Sequence, residues 1–310
     1  MNPAEAERGS VPSAPEAEAF SVCLEGNRCS LDLSRPCIMG ILNVTPDSFF
    51  DGGRFSRIED AVAQGRRLAA EGADIIDVGG ESTRPGASAV SAAEEMERVV
   101  PVVERLRREV AVPLSVDTWK SAVAGAAISA GAAFVNDISG LQFDPEMARV
   151  VAKGGAGLFI MHTRGAPPEM QNDTLYRDLV AEVIAFLSAQ ADKAVASGIP
   201  RRRLAIDPGI GFAKDLSGNL ELLGRLGELQ ALRLPVLLGT SRKSFIGSLL
   251  GRSNPKDRLY GTLATIALGV AAGAKIFRVH DVGPAKDAAL TAWAVCSRRA
   301  GGGAAPSRRA

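Results

Sequence analysis

Polar side chains recur where short apolar runs stop, and they divide by chemistry. Asp117, Asn136 and Asp207 offer carboxylate and amide oxygens, which suit a flat ligand edge carrying several N–H donors. Arg84, Lys243, Arg278 and His280 offer cationic donors, which suit an anion such as a phosphate. Asn43 offers a neutral oxygen, of the kind Mg2+ accepts when substrate phosphate and water complete its shell. Thr83 and His162 stand at equivalent places. Together they describe a pocket that holds a ring at one end and an anion at the other, with glycines that let the backbone come close. The bland reading makes each of them a helix cap or turn former, with Asp117-Thr118 before a helix as the clearest case. It accounts for Ser, Thr, Asn and Asp, but not for Lys243, Arg278 and His280, which meet no opposite charge nearby in the chain.

Such residues converge only if the elements behind them repeat. Eight apolar runs of strand length can be read in order: Ile38–Leu42, Ala73–Val78, Val112–Val116, Ala132–Val135, Gly157–Met161, Leu204–Ile206, Pro235–Leu238 and Ala274–Phe277. Helical patterns lie between them. Alternating strands and helices give βαβ units and a parallel sheet, and eight such units close a (β/α)8 TIM barrel. An open doubly wound sheet is the alternative. The G-x-G-x-x-G turn of a dinucleotide site is absent after the first run, so the barrel is the better reading. Its functional residues then sit at the C-terminal ends of the strands. Phe20 to Asp32 alternates weakly around Glu25-Gly26-Asn27-Arg28, which predicts a short N-terminal hairpin. Ser56 with Glu59 and Ser91 with Glu94 have capping-box spacing, which places helix starts at both.

At 310 residues with 46% hydrophobic content, the chain can bury a large core. A net charge of +1 supplies no long-range attraction to nucleic acid or an acidic membrane. Two histidines rule out a His-rich metal site. Cys23, Cys29, Cys37 and Cys296 form no C-x-x-C pair and read as free, mostly buried thiols of a reducing compartment. Residues 1–19 and 299–310 read as disordered tails around one catalytic domain spanning 20–298. No signal peptide or membrane span is evident, so a cytoplasmic location is expected. Arg201-Arg202-Arg203 reads as a solvated turn, and His162 as a structural hydrogen-bonding residue rather than a base.

The blocks Ile38-Met39-Gly40-Ile41-Leu42-Asn43-Val44-Thr45-Pro46-Asp47-Ser48-Phe49 and Glu81-Ser82-Thr83-Arg84-Pro85-Gly86 resemble signatures of the dihydropteroate synthase family. So do Asn136-Asp137, Asp207-Pro208-Gly209-Ile210-Gly211-Phe212, Ser241-Arg242-Lys243-Ser244-Phe245 and Arg278-Val279-His280, in family order. The resemblance implies a (β/α)8 enzyme of folate biosynthesis, the sulfonamide target. Its substrates would be a dihydropterin 6-hydroxymethyl diphosphate and 4-aminobenzoate, and its products 7,8-dihydropteroate and diphosphate. By resemblance Asp117, Asn136 and Asp207 hold the pterin N–H groups, Lys243 its acceptor side, and Met161 and Phe212 line the pocket. Asn43, Arg278 and His280 hold the diphosphate, with Mg2+ at Asn43. Phe49, Asp51, Thr83, Arg84, Pro85 and Ser244 belong to the 4-aminobenzoate end, with Val44–Gly53 as a mobile cover. Lys243, Asp207 and Arg278 are the catalytic candidates, and a homodimer is expected. Phe50, Trp119 and Thr163 depart from the usual family residues. Two rivals are a non-catalytic pterin-binding paralogue and a methyltetrahydrofolate-binding methyltransferase barrel, which needs no diphosphate site.

Overall fold

The computed structural model describes residues 23–45, 54–82, 89–166 and 169–299. The expected tails apart from Arg299, which ends the last helix, the cover loop beyond Thr45, and Phe49, Phe50, Asp51, Thr83, Arg84 and Pro85 lie outside the described residues. A hairpin, β1 (Cys23–Gly26) and β2 (Cys29–Asp32), precedes an eight-stranded parallel sheet. Its strands are β3 (Cys37–Asn43), β4 (Ile75–Gly79), β5 (Leu114–Asp117), β6 (Phe134–Asp137), β7 (Gly157–Met161), β8 (Leu204–Asp207), β9 (Leu237–Leu238) and β10 (Ile276–Val279). Neighbours pair in sequence order from β3 to β8, and β10 lies between β3 and β9. A parallel bridge, Ile206 to Val236, joins β8 to the start of β9 and closes the barrel. The seventh run therefore makes only a two-residue strand plus this bridge.

Side chains alternate across each strand, and here the alternation separates two cores. Ile38, Leu42, Ile76, Val78, Leu114, Val116, Val135, Leu158, Ile160, Leu204 and Ile206 pack outward with the helices. Met39, Ile75, Phe134, Phe159, Ala205, Leu237 and Ile276 pack with one another and with the hairpin's Leu24 and Leu31, filling the barrel floor. Two residues further along most of these strands the inward positions turn polar: Ile75 gives way to Asp77, Phe134 to Asn136, Ala205 to Asp207 and Ile276 to Arg278. An apolar floor under a polar mouth follows from period 2 alone.

The hairpin plugs the floor. Asn27 N–H donates to Ala133 O at 2.9 Å, and a Cβ at Gly26 would come within 2.7 Å of that same oxygen. Leu24 is fully buried, worth about 2 kcal/mol. The arginine triplet is a 3-10 turn, and it is not merely solvated: Arg202 pairs with Glu25 of the hairpin at 2.8 Å.

The outer helices are α1 (Arg54–Ala70), α2 (Ala92–Glu109), α3 (Ser121–Ala130), α4 (Met147–Gly154), α5 (Leu179–Ala196), α6 (Leu216–Gly224), α7 (Ser244–Leu250), α8 (Leu259–Ala271) and α9 (Val282–Arg299). Ser91 caps α2 as expected, accepting from Glu94 N–H. The helix expected to start at Ser56 begins earlier, at Arg54. Asp117 and Thr118 do not cap α3 either; Asp144 reaches across to accept the Ser121 N–H at 2.8 Å. That frees Asp117 for the lumen. No disulfide links the cysteines, but only Cys37 is buried, which corrects the expectation of mostly buried thiols. No described helix is long and apolar enough to cross a membrane.

Candidate active site

Register brings the strand-end residues together. Asn43 pairs with Gly79, Gly79 with Asp117, and Asp117 with Asn136 around the rim; Met161 pairs with Asp207. A Cβ at Gly79 would lie 3.7 Å from Asn43 Oδ1 and 3.5 Å from Asp117 Cβ. The absent side chain thus leaves room between them. Across the mouth, a Cβ at Gly239 would sit 3.8 Å from Asp207 Oδ2 and 3.9 Å from Arg278 Cβ.

Arg278 is the hub. Its Nε donates to Asp77 Oδ2 at 2.6 Å and its NH2 to Asp117 Oδ2 at 2.5 Å. The expectation that Arg278 meets no opposite charge holds only along the chain: its partners lie on β4 and β5. Asp77 was not among the residues singled out from sequence. It is fully buried and also accepts from Asn136 Nδ2 at 3.0 Å. The missed signal was the inward alternation Ile75, Asp77, Gly79, which places a carboxylate inside the barrel one step before the strand end.

This arrangement concentrates charge away from water. Burial pushes the Asp117 carboxyl up to about 7 against the pull of Arg278, with Asp77 adding repulsion. Asp207 is raised by burial as well, opposed by Lys243 and by the Gly209 N–H on its Oδ1 at 2.7 Å. For Arg278 burial works against the charge, but the Asp117 and Asp77 carboxylates outweigh it and hold the guanidinium firmly protonated. Asp117 Oδ1 and Asp77 Oδ1 are buried without a hydrogen-bond partner. Orphaned buried acceptors are costly, and Asp117 Oδ1, at the strand end, fits a ligand with N–H donors.

Lys243 stands beside this network, its Nζ 4.2 Å above the Phe212 ring and donating to Ile210 O. Burial lowers its ammonium to about 8, partly offset by Asp207. Phe212 is half-buried and Met161 buried. Ser244, exposed, begins α7. His280 is held through Nδ1 by Ser241 Oγ at 2.9 Å, and its backbone N–H donates to that oxygen at 3.1 Å. Arg242 forms a two-bond pair with Asp281, so the Ser-Arg-Lys loop and the loop after β10 are bolted together below the ligand-facing side chains. Asn136 and Asp137 part company: Asn136 faces the lumen network, while Asp137 accepts the Ser139 and Leu141 N–H groups at 2.8 Å each and shapes its turn.

His162 lies outside the network. Its Nδ1 meets Lys214 Nζ at 3.0 Å, and burial together with Lys214 lowers the ring to about 2, which suits a structural role rather than a base. Lys214, buried and also missed, additionally donates to Gly209 O and Phe212 O. It pins the loop that carries Asp207 and Phe212. At the stem of the second loop Lys120 Nζ bridges Glu81 and Glu95, and Glu81 Oε1 accepts the Val90 N–H at 3.0 Å. Among the described residues no group of three or more His, Cys, Asp and Glu side chains gathers around a common point.

Comparisons with known proteins agree with this geometry. The family model described as "Pterin binding enzyme" matches residues 39–280. The dihydropteroate synthase of Synechocystis sp. is 50% identical over 248 residues, 80% of this chain and 86% of that protein. The structure of Xanthomonas albilineans dihydropteroate synthase with 4-aminobenzoic acid superposes with a TM-score of 0.83 at 47% identity, covering 88% of this chain and 98% of that one. The same organism's enzyme in complex with 7,8-dihydropteroate gives a TM-score of 0.78 at 42% identity, with the same coverage.

Proposed function

The chain belongs to the pterin-binding enzymes, within the dihydropteroate synthase family, and from that premise we propose how its barrel mouth joins a dihydropterin diphosphate to 4-aminobenzoate. The observation that carries the reading is the hydrogen-bonded set Asn136–Asp77–Arg278–Asp117. It ties ring-reading oxygens to an anion-binding guanidinium in one network.

Asp117, Asn136 and Asp207 accept the N–H groups of the pterin edge. Lys243 leaves Ile210 O to donate to the ring's acceptor side, and Phe212 and Met161 cover its faces. Arg278 and His280 reach the diphosphate. Asn43 offers one amide oxygen beside the space left at Gly79, and would hold Mg2+ with substrate phosphate and water. Mg2+ bound there supplies charge neutralisation of the leaving diphosphate.

The reaction needs no covalent protein nucleophile. The C–O bond breaks with its electron pair on the diphosphate, the cation spreads into the electron-rich pterin, and the aromatic amine attacks the exocyclic carbon and then loses its proton. Buried carboxylates stabilise the positive ring, while Arg278 and His280 stabilise the departing anion. Ser244 and the loops bearing Phe49, Asp51, Thr83, Arg84 and Pro85 take the 4-aminobenzoate end. The chain works in the cytoplasm as a homodimer.

A steady-state assay with both substrates should release diphosphate and form 7,8-dihydropteroate in equal amounts. Normal binding of the pterin diphosphate with no turnover would identify a non-catalytic paralogue instead. Methyl transfer from a methylated folate, without diphosphate release, would favour the methyltransferase barrel.

A further inference from the structure

The lumen-facing amide of Asn136 is held from behind, and what holds it decides what it can recognise. Asp77 is wholly buried, and one of its oxygens, Oδ2, takes both the Arg278 Nε at 2.6 Å and the Asn136 amide at 3.0 Å. A carboxylate paired with a guanidinium accepts and does not donate. The amide atom facing it must therefore be Nδ2, which spends one of its two N–H groups there, and the carbonyl oxygen is the acceptor left for a ligand. An Asn without such a partner can turn its amide over at little cost and offer a donor in place of an acceptor.

We propose that Asp77 is the specificity-determining positioning residue of the ring site. By locking the Asn136 amide with its oxygen toward the pocket, it makes the mouth select rings that carry an exocyclic amino group over rings that carry an oxo group there. This rests on the pterin reading above. It adds that selectivity resides in a side chain one layer below the ligand. An amino group meets an acceptor at Asn136 Oδ1; an oxo group meets a second oxygen, and neither partner has a proton to share.

Both bonds go to the same oxygen, so acceptor geometry rather than charge is what orients the Asn136 amide. Asp77→Asn can keep an oxygen at the Oδ2 place, because turning its own amide would set N–H against the N–H of Arg278 and of Asn136. Asp77→Ala cannot. Asp77→Ala/Asn136→Asp restores an acceptor toward the pocket whichever way the side chain turns.

The test is calorimetric affinity for two ring compounds, 6-hydroxymethylpterin and its 2-oxo counterpart, in wild type and these variants. The wild type should prefer the amino compound. Asp77→Ala should lose about tenfold of that preference, with the affinity for 4-aminobenzoate unchanged. Asp77→Asn and the double variant should keep it. An unchanged preference in Asp77→Ala overturns the proposal, as does an equal loss in Asp77→Asn. A wild type with no preference sinks the pterin reading itself, which is a different failure. If Asp77→Ala does not fold, a neutron structure of the wild type with the amino compound decides. Asn136 Oδ1 toward the ring supports the proposal, and Nδ2 there overturns it.

Discussion

Asp117 illustrates how far one residue's chemistry departs from its sequence context. Beside Thr118 at the start of a helix it looks like a cap, yet its carboxylate points into the barrel and shares Arg278 with Asp77. Burial raises it to about 7, and this sets the sign of a pH effect on binding. Above about pH 7 the carboxylate is ionised and accepts two N–H donors; below it one oxygen carries a proton and an acceptor is lost. Asp117 should therefore weaken pterin binding as pH drops from 8 to 6, opposed by Lys243, which burial lowers to about 8 and which gains its donor proton over the same range; Asp117→Asn, with one acceptor at every pH, should lose the Asp117 part alone. Calorimetric titration across that range measures it. A pH profile of the same shape in wild type and Asp117→Asn would remove Asp117 from the ring site.

At the scale of elements, the segment after β8 is closely tied down among the described residues. Asp207 accepts its Gly209 N–H, Asn219 accepts the Gly211 N–H at 2.6 Å, and Tyr176 donates to Ala213 O at 2.9 Å. Lys214 closes the set from below on Gly209 O and Phe212 O. Gly209 has φ +68° and no room for a side chain, since a Cβ there would stand 1.9 Å from His162 O. Gly209→Ala must move β7 or the loop, so it should cost at least about 2 kcal/mol of stability and weaken ring binding through Asp207. Thermal unfolding and pterin calorimetry read the two effects. Wild-type values in both would mean the turn has another conformation. The 3-10 segment Leu226–Leu232 after α6 shows the opposite case, where glycines at 224 and 227 let a helical pattern dissolve before β9.

At the scale of the molecule, apolar side chains remain outside the barrel on helices that pack together. Leu249 and Leu250 of α7 and Tyr260 and Leu268 of α8 are exposed, Tyr260 at 83% and Leu268 at 63%. Exposed apolar side chains on neighbouring helices suit an interface, and α8 is the helix on which the proposed homodimer can be tested. Leu268→Glu should yield monomers in sedimentation velocity with the fold intact by circular dichroism. A dimer that persists would place the interface elsewhere.

Much of this was legible in the chain because it is local and periodic. Apolar runs that end at Asn43, Asp117, Asn136 and Asp207 mark strands and their C-terminal ends, and a parallel sheet of eight such units has one mouth where those ends meet. The hairpin and the Ser91 cap followed from equally short patterns. Partnership was not legible, because it spans the chain: Arg278 meets Asp77 across 201 positions and Asp117 across 161. Register and barrel closure bring them together, and no local spacing encodes either. For the same reason local spacing does not single out Lys214 or Asp77, and the capping-box spacing at Ser56 places the start of α1 too late. The sequence by itself determined which residue types stand at the mouth. Only the tertiary structure decided which of them face one another, since a buried charge takes its role from the partner that neutralises it.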